Sequence, residues 1–146
     1  YLKLVGVLDE SGMEPVQNRI EKLPFMDWRQ LPAVIAGLDI NLMPLENSLF
    51  HWCKSENKWT EAALVKVPSV MSRNCEMEYV VENGKDGWMC TTKEEWVNAL
   101  ETLVTDEKAR KAMGEAAHQK VMEHYLTVNT GKDAMEELLC SESYTK

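Results

Sequence analysis

Basic charge, cysteine and long apolar runs are all scarce in this 146-residue sequence. Lysine and arginine together number 16, against 24 aspartates and glutamates, which gives a net charge of −8. A nucleic-acid-binding protein needs a basic surface for the phosphate backbone, and anionic membranes attract basic segments, so we expect neither partner. No apolar run approaches the roughly 18 residues that a membrane-spanning helix requires.

Cysteine occurs four times, and no two cysteines show the CxxC spacing that is typical of metal or redox sites. A chain of this length can bury a core without disulfide bonds. We therefore interpret the cysteines as reduced thiols and expect a cytoplasmic location. The three histidines are not spaced to complete a zinc site, so we expect no metal and no bound cofactor.

Apolar runs of strand length alternate with segments of helical periodicity along the whole chain. The predicted strands are 2–8, 19–25, 39–45, 68–72 and 88–90, and the main predicted helices are 31–38, 56–65, 93–104, 106–124 and 129–140. This alternation predicts an α/β fold, with a Rossmann-like, doubly wound parallel sheet between two layers of helices. Such sheets bind ligands outside the carboxyl ends of their strands. The apolar faces include Trp28, Trp88 and Trp96, which we predict to lie in the core.

The segment KSENKWTEAALVKVPSV, residues 54–70, contains a predicted helix that begins among lysines. Ser55 is predicted to be the N-cap residue of this helix. Lys54 and Lys58 stand near its N-terminus, where the N–H groups and the helix dipole attract anions and disfavour cations. A bound phosphate group would remove that conflict, so the segment is a candidate site for a phosphorylated ligand.

Glu61 lies in the same predicted helix, one turn beyond Lys58. Its carboxylate could accept hydrogen bonds from two neighbouring hydroxyl groups, such as those of a ribose. The alternative is purely structural: Ser55 is only a cap, and Glu61 is a solvated residue beside Lys58. Both interpretations are open on the residues alone.

Four stretches of the chain carry a resemblance to a known family. They are DINLMPLE (39–46), KSENKWTEAALVKVPSVMS (54–72), VVENGKDGWMC (80–90) and EEWVNALETLVTDEKARKAMGEAAHQKV (94–121). In order and spacing they resemble the C-terminal, donor-binding domain of nucleotide-sugar glycosyltransferases of the GT-B architecture. The similarity is greatest to the large retaining family 4, the glycosyl transferases group 1, and covers residues 23–125.

This resemblance implies roles for the residues at matching positions. Glu61 matches the second glutamate of the family's Glu-x7-Glu pair, which holds the nucleotide ribose. The turn that begins at Lys54 matches the one whose backbone amides face the diphosphate and the sugar, and the loop at Phe25 matches the one that lies along the base. The predicted donor-binding residues are therefore Phe25, Met26, Lys54, Ser55, Glu56, Lys58 and Glu61, and no catalytic residue is assigned.

The sequence departs from the family pattern at two positions of this region. Cys53 stands where the first glutamate of the pair would be, so the resemblance leaves open whether the reaction retains or inverts the anomeric configuration. Lys66 stands where the family often has a glycine that ends the helix in a left-handed conformation. Because that conformation costs lysine about 1 kcal/mol, we expect the helix to end differently.

The resemblance also implies a domain organisation. Residues 1–128 would form a nucleotide-sugar-binding domain without its first strand, and residues 129–146 would form a helix and tail that cross to an absent N-terminal domain. The chain begins on an apolar strand without a methionine, so we expect it to be a piece of a longer protein.

The function implied is that of a hexosyltransferase taking part in polysaccharide biosynthesis. The parent enzyme would move a sugar from a nucleotide-diphosphate-sugar to a glycan or a lipid-linked acceptor, and it could work at the cytoplasmic face of a membrane. We expect the fragment alone to be inactive. The alternative is a non-catalytic Rossmann-like module that binds a nucleotide or docks on a partner protein.

Overall fold

The structure, a computed structural model, describes residues 1–6 and 13–141, with side chains left out at 133, 134 and 137–141. The chain divides into two compact units, Tyr1–Val34 and Ile35–Lys146. Parallel strands alternate with helices along the chain, which confirms the predicted α/β class.

The first unit contains a two-stranded parallel sheet. Strand β1 (Leu2–Val5) pairs with β2 (Ile20–Leu23) in a register that sets Leu2 opposite Ile20. A 3₁₀ helix, Glu14–Arg19, leads into β2. The first strand was predicted to continue to residue 8, but residues 7 and 8 lie outside the described part of the chain.

Trp28 corrects one prediction about the core. Its side chain is 71% exposed, and the guanidinium carbon of Arg29 lies 4.7 Å from the centroid of its ring. Periodicity alone suggested a buried position because Trp28 is in phase with Leu31, yet helix α1 (Leu31–Ala36) begins only three residues later. Trp28 lies in the preceding turn, outside the helical repeat.

The second unit is built on a parallel sheet with strand order β3-β4-β5. Its elements, in chain order after α1, are β3 (Asn41–Met43), α2 (Leu49–Trp52), α3 (Asn57–Leu64), β4 (Ser69–Ser72), α4 (Cys75–Val80), β5 (Trp88–Cys90), α5 (Lys93–Thr105), α6 (Glu107–His124) and α7 (Thr127–Ser141).

Helices cover both faces of this sheet. Val70 and Met71 are neighbours on the central strand β4, and their side chains point to opposite faces. Met71 belongs to a buried cluster with Trp59 of α3, whereas Val70 belongs to a second cluster with Leu103 of α5. Because both faces are buried, β4 is apolar at successive positions, as expected for a central parallel strand. The three-layer packing is thus present within this unit.

Helix α3 ends in a left-handed residue, which corrects the expectation for Lys66. Lys66 has φ +64°, and the N–H groups of Lys66 and Val67 donate to the carbonyls of Ala63 and Ala62, both at 3.0 Å. These two bonds form a Schellman motif. The motif forms despite the cost to lysine. Lys66 also pairs with Glu115 of α6 at 2.8 Å, and the hydrogen bond from Lys66 lowers the pKa of the Glu115 carboxyl.

The last two helices are joined by a side-chain cap. The amide nitrogen of Asn129 donates to the carbonyls of Met122 and Glu123, at 2.9 and 3.1 Å, and so closes the end of α6. Helix α7 begins at Thr127, two residues before the predicted start. The crossing of residues 129–146 to another domain stays a prediction. Within the described residues, no helix has the length and apolar character needed to span a membrane.

Candidate functional site

The segment after β3 is fastened to the carboxyl end of β4, where a parallel sheet is expected to bind its ligand. Ser72, the last residue of β4, accepts a hydrogen bond from the N–H of Leu45 at 2.8 Å and donates to the Leu45 carbonyl at 3.1 Å. Asn74 then donates to the carbonyl of His51 at 3.5 Å. These three bonds hold residues 45–51 against the edge of the sheet, directly before the predicted donor-binding turn.

Glu56, and not Ser55, occupies the N-cap position of α3, which corrects the prediction. The Glu56 carbonyl accepts the first bond of the helix, from the N–H of Thr60 at 2.9 Å. The Glu56 side chain makes no capping hydrogen bond, and Ser55 is exposed. The helix begins at Asn57, one residue later than capping by Ser55 would require. The first N–H groups of α3 are therefore left open for an anion.

Two lysines, Lys54 and Lys58, lie at the open N-terminus of α3. Neither Lys54 nor Lys58 forms an ion pair with any carboxylate of the described residues. Lys58 is exposed, while Lys54 is half-buried and its ammonium lies 5.0 Å from the centroid of the Phe50 ring. Cations at the positive end of a helix are unfavourable, and no ion pair within the described residues offsets that cost for either lysine. The arrangement is suited to an anion with two or more charges.

Glu61 and Glu56 have different surroundings. The Glu61 side chain is exposed and makes no hydrogen bond or ion pair with another described residue, so its carboxylate is available to a ligand. Glu56 is half-buried near Tyr125, whose pKa is raised by burial and, to a smaller extent, by the charge of Glu56. The Tyr125 ring packs edge-on against Trp59, with centroids 6.0 Å apart. Glu56 thus faces the protein more than Glu61 does.

Trp59 holds the first turn of α3 in place through a network of hydrogen bonds centred on Asp86. Its indole N–H donates to the Asp86 carbonyl at 2.8 Å, and its side chain is fully buried. The Asp86 carboxylate accepts from Lys120 at 2.7 Å and from the N–H of Glu82 at 2.8 Å. Lys120 also lies 6.0 Å from the Trp59 ring centroid. The network joins the first turn of α3 to α6 and to the turn before β5.

Five of the predicted residues lie together on this short segment: Lys54, Ser55, Glu56, Lys58 and Glu61. The other two, Phe25 and Met26, belong to the first unit, in the stretch after β2. There Phe25 is 87% exposed and Met26 is half-buried. Their contact with a base stays a prediction.

Residues 46–53 lie outside every predicted strand and helix, so α2 was not predicted. Ser48 caps this four-residue helix by accepting from the N–H of His51, and its hydroxyl also lies 2.8 Å from His51 Nδ1. The available signal was a serine, a favoured N-cap residue, directly before the apolar pair Leu49 and Phe50. The bond from Asn74 to His51 had no signal in sequence, because the two residues are 23 positions apart.

The described residues offer no metal site, and their other reactive groups are free thiols. Within residues 1–6 and 13–141, no group of three His, Cys, Asp or Glu side chains is placed to hold a metal ion. Cys53, Cys75 and Cys90 are free thiols. Burial raises the pKa of the Cys90 thiol, which disfavours its thiolate.

Three comparisons with known proteins bear on the site. The sequence model of the family described as glycosyl transferases group 1 matches residues 2–106. A search among curated proteins found no match. Among solved structures, Alr3699/HepE from Anabaena, crystallised with UDP-glucose, has a TM-score of 0.73 at 18% identity, over 94% of this chain and 40% of that chain. The same protein with UDP gives 0.71 at 19% identity.

A second solved structure is the C-terminal domain of LpcC, a glycosyl transferase group 1 family protein from Francisella tularensis. Its TM-score is 0.60 at 17% identity, over 77% of this chain and 57% of that chain. At these identities the likeness shows the fold, which is the Rossmann-like fold of GT-B glycosyltransferases. The chain spans about half the length, or less, of the structures that it matches. Because the family model matches most of its residues, this chain belongs to the glycosyl transferases group 1 family.

Proposed function

We propose that this chain is the donor-binding domain of a glycosyltransferase that uses a nucleotide-diphosphate-sugar. The observation that carries the proposal is the uncapped N-terminus of α3, flanked by Lys54 and Lys58, which have no carboxylate partner among the described residues. A diphosphate supplies the charge that this arrangement lacks. The UDP and UDP-glucose complexes of the similar HepE structures agree with such a ligand.

The chemistry of this site is electrostatic. When the bond between the sugar and the diphosphate breaks, negative charge grows on the diphosphate oxygens. The first N–H groups of α3 are fixed in place and would stabilise this charge without rearrangement, and the two lysines would add to it. Glu61 would accept hydrogen bonds from the ribose hydroxyls and so fix the position of the reacting sugar. No metal ion is needed for these interactions, and none is part of the proposal.

Membership of the family supports a proposal for the reaction of the whole protein. The parent protein would transfer a hexosyl group to a glycan or a lipid-linked acceptor, in the cytoplasm or at the cytoplasmic face of a membrane. The free thiols of Cys53, Cys75 and Cys90 support a reducing compartment. This chain alone would not turn over, because it spans only 40% of the similar HepE chain. Residues 129–146 would join it to the rest of the enzyme.

Titration calorimetry with UDP tests the proposal. We expect the wild-type chain to bind UDP with a Kd on the order of 1 mM, since one helix end and two lysines supply most of the attraction. Glu61→Ala should weaken binding about tenfold, because charge-assisted hydrogen bonds to the ribose are lost. Glu101→Ala is the matched control, an exposed glutamate in the middle of α5, and should not change the Kd.

Two results would contradict the proposal. One is the absence of binding at about 10 mM UDP, well above the expected Kd. The other is equal binding by wild type, Glu61→Ala and Lys58→Ala, which would show that UDP associates with the chain away from the start of α3.

A further inference from the structure

Lys54 is held in place by an aromatic ring. Its ammonium lies 5.0 Å from the centroid of Phe50, within the range of a cation–π interaction. The chain has 24 acidic residues, and other lysines form ion pairs with them: Lys66 pairs with Glu115, and Lys120 pairs with Asp86. Lys54 has no such partner among the described residues, so Phe50 is the group that orients its charge.

The Phe50 ring is exposed to solvent, but contacts with its neighbours hold it in place. Its side chain is 71% exposed, so core packing does not explain why an aromatic residue stands there. The ring meets the imidazole of His51 nearly at right angles, with centroids 5.3 Å apart and an interplanar angle of 76°. Ser48 contacts the same imidazole through Nδ1 at 2.8 Å, and Asn74 bonds the His51 carbonyl. These contacts hold the short helix α2, and with it the ring.

From this geometry we propose that Phe50 is a positioning residue for Lys54, which keeps the lysine ammonium ready to receive the diphosphate of the donor. This inference rests on the proposed function. A lysine side chain is flexible and loses much rotamer freedom when a ligand orders it. A ring face that already restrains Lys54 reduces this loss. The ammonium contacts the ring on one side only, so N–H donors remain for the ligand.

A double-mutant cycle on UDP affinity tests the inference. Phe50→Leu keeps an apolar side chain and removes the aromatic face, and it should weaken UDP binding about two- to fivefold, the usual strength of an exposed cation–π contact. In a Lys54→Met background the same change should have no effect, because the cation is already gone. Phe50→Tyr should restore wild-type affinity. Leu49→Ala, a neighbour that is 76% exposed, is the control and should leave the Kd unchanged.

A measurement without UDP separates this inference from the proposed function. The ring current of Phe50 should move the proton resonances of the Lys54 methylene next to the ammonium upfield, and Phe50→Leu should abolish that shift. Should the shift be absent, or should Phe50→Leu weaken UDP binding equally with and without Lys54, the inference is wrong and the proposed function stands. Failure of the wild-type chain to bind UDP, with the ring-current shift present, contradicts the proposed function instead.

Discussion

Replacing Gly114 by alanine is expected to lower the free energy of unfolding by about 3 kcal/mol, a large effect for a single methyl group. A Cβ at this position would lie 2.1 Å from the carbonyl oxygen of Lys66 and 2.9 Å from its carbonyl carbon. Both atoms belong to the backbone of the left-handed turn that ends α3, which cannot swing aside as a side chain can. Helix α6 would have to move away from α3, and the buried contacts of Ala117 and Val121 would be disturbed.

Urea unfolding followed by circular dichroism measures this effect, with Gly131→Ala as the matched control. Gly131 is also inside a helix, α7, and a Cβ there meets no atom within 4 Å. Alanine at that site should raise stability by about 0.5–1 kcal/mol through helix propensity. If Gly114→Ala leaves stability unchanged or raises it, as expected at the open position Gly131, α6 does not pack closely on the end of α3.

Asp86→Ala is expected to cost about 2–4 kcal/mol of stability. The Asp86 side chain is only 4% exposed, and it accepts from both the Lys120 ammonium and the Glu82 N–H, at 2.7 and 2.8 Å. Its removal leaves a lysine without its carboxylate and a backbone donor without its acceptor. Lys120 is 30% exposed, so water can reach the ammonium and keep the cost below that of a fully buried pair.

Glu82→Ala is the control for Asp86→Ala under the same urea conditions. Glu82 also carries an ion pair, with Lys85 at 2.7 Å, but both side chains are more than 60% exposed. Exposed pairs of this kind contribute little, so the change should be much smaller than that of Asp86→Ala. Equal losses in the two variants would mean that the Asp86 network does not anchor α3 as described.

Much of the fold could be predicted because its signals are local. Apolar runs of strand length, helical periodicity and the caps at Thr92 and Asp106 each depend on a few neighbouring residues. The errors occurred at the ends of helices. Lys66 takes a left-handed conformation that its own side chain disfavours, because two carbonyls of α3 and the packing of Gly114 favour it. Trp28 is in helical phase but lies before the helix begins.

The candidate site was predictable to the extent that it is contiguous in sequence. Lys54, Lys58 and Glu61 lie within eight residues, so one helix start was enough to group them. The contacts that hold this segment in place join residues that are far apart, such as Ser72 with Leu45 and Trp59 with Asp86, 27 residues away in each case. Patterns among neighbouring residues do not predict such distant pairs. The ring contact of Phe50 with Lys54 was missed because no helix was predicted over residues 46–53.

The most direct test of the central claim is to map where UDP binds, by following the backbone amide resonances of the ¹⁵N-labelled chain during a titration. We expect the largest shifts on residues 54–61, because the first N–H groups of α3 would contact the diphosphate and Glu61 would contact the ribose. The amides of α5, Lys93–Thr105, should move little. Shifts that are absent from residues 54–61 and concentrated in another part of the chain would contradict the assignment of the donor site.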